Sequence, residues 1–145
     1  MEKLDRKKIG KESRILGKDF EVRVRADLEE KGWIVNRWSN DIDFKKDKLV
    51  PSKPKFFFDI KTKKMKMMGM RDGCPDFLAF KFYKGYNGIK SYEIIGVESK
   101  INGILDKLEK DKFKWLIKNN VFSKILFTKR VKEKNRIKIV YTEFG

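Results

Sequence analysis

Three side chains in this sequence have the types and spacing to act on a phosphate: Asp76, Glu98 and Lys100. They lie within GCPDFLAFKFYKGYNGIKSYEIIGVESK, residues 73–100. The stretch reads as two strands, 76–83 and 91–100, with Lys84-Gly85-Tyr86-Asn87-Gly88 as the turn; Asn-Gly suits positive φ. Asp76 opens the first strand, and Glu98 and Lys100 close the second. Residues two apart in a strand share a face, so Glu98 and Lys100 project together. Pairing the strands brings Asp76 alongside. Two carboxylates and an ammonium at one end of a sheet suit a hard divalent cation and a phosphate.

Absences narrow the chemistry. With no histidine, His-based nucleases and mixed Cys/His zinc sites are excluded. Cys74 is the single cysteine, so no intrachain disulfide forms and a reducing compartment is expected. No apolar run approaches a membrane span, and no signal-peptide core follows Met1. The expectation is an intracellular, cytoplasmic, non-secreted protein without a membrane partner.

Pro75-Asp76, followed after a hairpin by Glu98-Ser99-Lys100, resembles the PD-(D/E)xK nuclease superfamily. Within it, GCPDFLAF and IIGVESK look most like the VRR-NUC and archaeal Holliday-junction-resolvase branches. The resemblance covers about residues 17–130 and implies an α/β, restriction-endonuclease-like core: a mixed central sheet flanked by helices. It implies Mg²⁺ as cofactor, with Mn²⁺ substituting, held by Asp76, Glu98 and the backbone carbonyl of Ser99. Lys100 then sits by the attacking water. The implied partner is branched or duplex DNA, and likeness to junction resolvases raises the expectation of a homodimer. Members often carry a glutamate in a G-x-x-F-E pattern on the helix before the first core strand, and Gly17, Phe20 and Glu21 match it. Glu21 thereby becomes a candidate for a second metal or for orienting water, against the plainer reading of a solvated glutamate. Many members also place a polar residue, often Gln, on the helix after the motif. This chain has no Gln, so Asp111 or Lys112 is the substitute, or the role is absent.

The elements that must position these residues follow from periodicity. Phe20, Val24 and Leu28 recur every four residues and predict a helix over 17–31, stopped at Gly32. Residues 1–16 are basic and weakly patterned, an arm or a short helical turn. WIVNRW, 33–38, reads as a strand. Residues 39–72 read as an insertion or mobile loop region, with FFFDIKT a short strand-like run inside it. Asp59-Ile60-Lys61 there is a rival (D/E)-x-K, with Asp41 or Asp43 upstream. The later set is preferred because Asp76 follows proline, Glu98 ends a longer strand, and a helix then a strand follow Lys100. Gly96 shares a face with Glu98 and leaves room beneath a metal or relieves packing.

Residues 104–119 predict a second helix, with Ile104, Leu105, Leu108, Trp115 and Leu116 on one side. Lys107, Lys110, Lys114 and Lys118 lie opposite, as a rail for a phosphate backbone or an ordinary solvated face. Strands are expected at 124–130 and 136–144. At 145 residues the chain is expected to be one domain. Its net charge of +16 points to a polyanion, nucleic acid before an anionic membrane. Thermophile surface composition explains abundant charge but not so large an imbalance of sign.

Overall fold

In the computed structural model the chain is described over residues 2–70 and 73–145. It is an α/β structure with a mixed five-stranded sheet and two helices. The first helix, α1, spans Glu2–Glu30. Phe20, Val24 and Leu28 are its buried stripe, as their spacing predicts. Gly32 stops it at φ 94°, with Trp33 N–H donating back to the Leu28 carbonyl at 3.0 Å. Residues 2–16 are helical rather than an arm or a single turn. The signal is weak because the described apolar side chains of that half, Ile9, Ile15 and Leu16, are exposed, so no apolar periodicity marks it.

The five-stranded sheet holds β1 (Ile34–Arg37), β6 (Phe77–Tyr86), β7 (Ile89–Glu98), β8 (Lys124–Glu133) and β9 (Arg136–Glu143), in that spatial order. Between β1 and β6 come β2 (Asn40–Asp43), β3 (Lys48–Pro51), β4 (Pro54–Asp59) and β5 (Lys64–Met70). In the large sheet only the β7–β8 pairing is parallel. That pair is bridged by the second helix, α2 (Lys107–Lys118), because a parallel neighbour needs a crossover. The β6–β7 turn is the two residues Asn87-Gly88, with φ 49° and 79°. It is tighter than the five-residue turn expected, and both strands run further toward it.

Alternation along the strands splits the core in two. Phe77, Ala79, Ile95 and Val97 pack against Phe20, Val24 and Leu28 of α1. Ile125 packs on the other side with Phe113 and Leu116 of α2, Ile42 and Phe122. Each such side chain contributes about 1.5–3 kcal/mol by leaving water. The alternation therefore turns Asp76, Gly96 and Glu98 toward the α2 side.

Residues 39–72 differ most from expectation. Residues 40–51 and 54–70 of this stretch form two separate antiparallel hairpins, β2–β3 and β4–β5, rather than a loop. Two prolines hid this, but Pro51 ends a strand and Pro54 begins one, positions where proline is tolerated. The expectation of a mobile approach at KKMKMMGMRDG falls partly on Arg71 and Asp72, outside the described residues. Its described part belongs to β5. Helix α2 also starts later than expected. Asp106 caps it, accepting from Glu109 N–H at 2.8 Å, while the Glu109 carboxylate accepts from Asp106 N–H at 3.1 Å. Ile104 is left outside, Leu108 is exposed, and Phe113, absent from the expected stripe, is fully buried.

Candidate active site

The β6–β7 ladder assembles the site. Phe77 lies opposite Val97, so Asp76 and Glu98 meet one step further along. Both are only 8% exposed. Asp76 accepts from Ser99 N–H at 2.9 Å, locking it to the backbone just after Glu98. Burial and the neighbouring Asp76 carboxylate push the Glu98 pKa up to about 10. Glu98 Oε2 is buried without a hydrogen-bond partner. Two acids held together in low dielectric, one with an unsatisfied oxygen, form an arrangement that a cation would relieve. The pair fits Mg²⁺, which is commonly held by one or two carboxylates with water and substrate phosphate. No cluster of three Asp, Glu, His or Cys able to cage a metal occurs among the described residues.

Lys100 leaves the strand end beside them. Its N–H donates to Thr128 Oγ1 at 2.8 Å, and that hydroxyl donates to the Lys100 carbonyl at 2.9 Å. Thr128 is fully buried and fixes the backbone on which the ammonium is carried. The Lys100 ammonium pairs with Glu109 at 2.6 Å. Burial alone would lower its pKa, but Glu109 outweighs that and the net shift is upward. Lys100 is therefore a cation at neutral pH.

Glu109 is the polar residue of α2 that meets the motif; sequence reasoning pointed to Asp111 or Lys112 instead. The signal was present as the capping box Asp106-x-x-Glu109, which fixes where the glutamate stands on the first turn. Lys112 does border the site: it pairs with Asp41 at 2.8 Å, and both are among the charges acting on the neighbouring Cys74 thiol. Burial, then Glu98, raises the pKa of that thiol, so it stays protonated and unreactive. Thr128 was also missed. Its signal is a lone hydroxyl inside the otherwise apolar start of KILFTKR.

Glu21 is placed at the same end of the sheet but on the α1 side. Its carboxylate accepts from Arg37 at 2.9 Å, and the Arg37 guanidinium lies over the Phe77 ring. The charges that act most on Glu98 are Asp76, Glu109 and Lys100, not Glu21. The rival set does not assemble with the large sheet. Asp59 ends β4 on its own two-stranded hairpin, bound to Lys66 at 2.9 Å. Asp41 belongs to the other hairpin. Gly96 leaves no room beneath a metal: a Cβ there would come within 2.7 Å of the Pro75 ring and 3.2 Å of Phe122. Packing is its reason.

Lys107, Lys110, Lys114 and Lys118 are all exposed. Helical spacing turns Lys107, Lys114 and Lys118 away from Phe113 and Leu116 and from Glu109 and Lys112, while Lys110, three residues before Phe113, borders Leu105, Phe127 and Phe144. The stripe does not line the carboxylate pair. No helix among the described residues is long and apolar enough to cross a membrane. No protein-family model matches the chain, and no curated protein or solved structure matches it.

Proposed function

We propose that this chain is a divalent-cation-dependent nuclease of PD-(D/E)xK type. It hydrolyses DNA phosphodiester bonds and acts as a structure-selective endonuclease on branched DNA. One observation carries the reading: Asp76 and Glu98 are buried side by side, Glu98 with a partnerless oxygen, at the strand end that also carries Lys100. The order α1, β1, β6, β7, α2, β8, with β7 parallel to β8, supports a restriction-endonuclease-like core interrupted by two hairpins.

Asp76, Glu98 and the Ser99 carbonyl are the groups that would hold Mg²⁺ or Mn²⁺. Bound there, the ion supplies a Lewis acid and lowers the pKa of its water. The chain's own contributions are separate. Lys100 places a fixed positive charge where negative charge develops on the phosphate. Thr128 holds the Lys100 backbone, and Glu109 holds the ammonium until phosphate competes for it. Burial of the carboxylates excludes bulk water, which strengthens every charge interaction inside.

The test is single-turnover cleavage of labelled junction, flap, single-stranded and duplex DNA with Mg²⁺, Mn²⁺, Ca²⁺ or EDTA. Cleavage confined to Mg²⁺ and Mn²⁺ supports the reading; full activity in EDTA overturns it. The alternative is a non-catalytic nucleic-acid-binding module on the same fold. Binding without cleavage under every condition would favour it.

A further inference from the structure

The β4–β5 hairpin presents an apolar face to solvent. Phe56 pairs with Met67 and Phe58 with Met65, so these four side chains share one side of the ribbon. All four are 57–63% exposed. The other side is mixed: Phe57, 43% exposed, lies there with Asp59 and Lys66, which are joined at 2.9 Å. Residues 53–66 hold six lysines and one acid, Asp59. A bulge opposite Lys55 and Phe56 twists the ribbon. A two-stranded ribbon is marginal in water, and leaving seven large apolar side chains exposed (Phe57, Ile60 and Met68 besides these four) makes it more so.

Its feet stand at the candidate site. Ser52 N–H donates to the Ser39 carbonyl at 2.9 Å, and Gly73 N–H to the Trp38 carbonyl at 3.1 Å. Trp38 N–H in turn donates to the Asp76 carbonyl at 3.0 Å. Gly73 admits no side chain, since a Cβ would fall 2.3 Å from the Trp38 carbonyl oxygen. The returning strand therefore closes tightly onto the segment that carries Asp76. From Met70 to Asp76 the chain can span at most about 20 Å. Met65 lies five residues further out, about 16 Å more of extended strand, so whatever the ribbon grips lies within about 35 Å of the carboxylate pair.

We infer that the β4–β5 hairpin is a nucleic-acid-binding arm that lays Phe56, Phe58, Met65 and Met67 against unstacked bases while its lysines hold the flanking phosphates. The inference rests on the nuclease reading above and narrows its substrate to DNA with bases already freed from the duplex stack. Charge selects the occupant. A second copy brings the same excess of lysine and is repelled, whereas a polyanion is attracted. Aromatic faces bind bases by stacking without reading sequence, and apolar wedges of this kind open base steps. A base inside a continuous duplex must first be unstacked, so an open branch point is the cheaper target.

The experiment uses the full chain in EDTA, where cleavage does not enter. Fluorescein-labelled three-way-branched DNA and a continuous duplex of equal length are titrated by anisotropy, with wild type and the Phe56→Ala/Phe58→Ala variant. The inference expects the variant to lose about tenfold or more in affinity for branched DNA. It expects less than about threefold loss on the duplex. A 2-aminopurine at the branch should brighten with wild type and not with the variant. Both rings are more than half exposed, so the core should survive; circular dichroism checks this, and Met65→Ser/Met67→Ser provides a second variant. Equal binding by all proteins overturns the arm while leaving the nuclease reading intact. So does a variant that changes only the sedimentation coefficient, which marks a self-association face, or only binding to phosphatidylserine vesicles, which marks a membrane surface. Conversely, Glu98→Gln that still cleaves sinks the nuclease reading without touching the binding result.

Discussion

At the scale of single residues, the site is a conflict held in place by the fold. Asp76 and Glu98 would repel if both were ionised in their buried setting, so Glu98 keeps its proton up to about pH 10. The unfolded chain releases that proton near the ordinary carboxylate pKa of about 4.3. Between those values the folded state binds more protons, so stability in EDTA should fall as pH rises. The slope is at most about 1.4 kcal/mol per pH unit. Urea unfolding at pH 6 and pH 8 reads it; a flat profile contradicts the buried pair. Glu98→Gln should flatten the slope and raise stability in EDTA. In Mg²⁺ the same change, like Asp76→Asn and Lys100→Ala, should abolish single-turnover cleavage, with non-additive losses because all act at one centre. Thr128→Val leaves the Lys100 N–H and carbonyl without their partner and should cost about 1–3 kcal/mol of stability. Glu109→Gln removes the carboxylate that holds the Lys100 ammonium, so it should disturb cleavage more than Asp111→Asn. Equal rates in the two would mean Glu109 is only a helix cap.

At the scale of elements, the meeting of Asp76 with Glu98 was legible because strand alternation and an Asn-Gly turn are local signals, although β6 begins at Phe77 and β7 ends at Glu98, so Lys100 follows the strand rather than closing it. So were the C-terminal part of α1, β1, and the strands expected at 124–130 and 136–144, which run Lys124–Glu133 and Arg136–Glu143. What escaped was everything decided by distant contacts or by none. The described apolar side chains in the first half of α1 are exposed and left no apolar pattern. The hairpins β2–β3 and β4–β5 pair short strands whose partners only folding reveals, and of them only FFFDIKT was read as strand-like. The start of α2 was set by a capping box hidden inside a plausible apolar run, and that displaced the expected stripe and concealed Glu109. The rival Asp59-x-Lys61 failed for an element-level reason: β4 pairs only with β5. Asp59 is held below its usual pKa first by its hydrogen bond to Lys66, and it is half-buried on its own hairpin. Asp59→Asn should therefore leave single-turnover cleavage at saturating protein within about threefold of wild type. If Asp59→Asn is dead while Glu98→Gln keeps near-normal rates, the hairpin and not the large sheet carries the chemistry.

At the scale of the molecule, charge is the dominant fact. With a net charge of +16 on 145 residues, association with DNA as proposed would be a counterion-release process before any specific contact forms. Log affinity should fall nearly linearly with log salt, and six to ten phosphate contacts would cost about a thousandfold or more between 50 and 200 mM. A flat titration would sink the electrostatic account. The lysines of α2 test how that charge is distributed. Their stripe points away from Glu109 and Lys112, so on the proposed reading any phosphates it holds would not be the ones next to the carboxylates. Replacing Lys107, Lys110, Lys114 and Lys118 together by Gln should weaken binding and flatten the salt slope by up to about four contacts. Single-turnover cleavage at saturating protein should stay near wild type, because the stripe does not line the reacting site. An unchanged slope identifies the stripe as a solvated face. A lost cleavage rate at saturation instead means that DNA wraps from the exposed side of α2 around to Asp76 and Glu98. Both are read from one titration series in Ca²⁺ and one cleavage series in Mg²⁺.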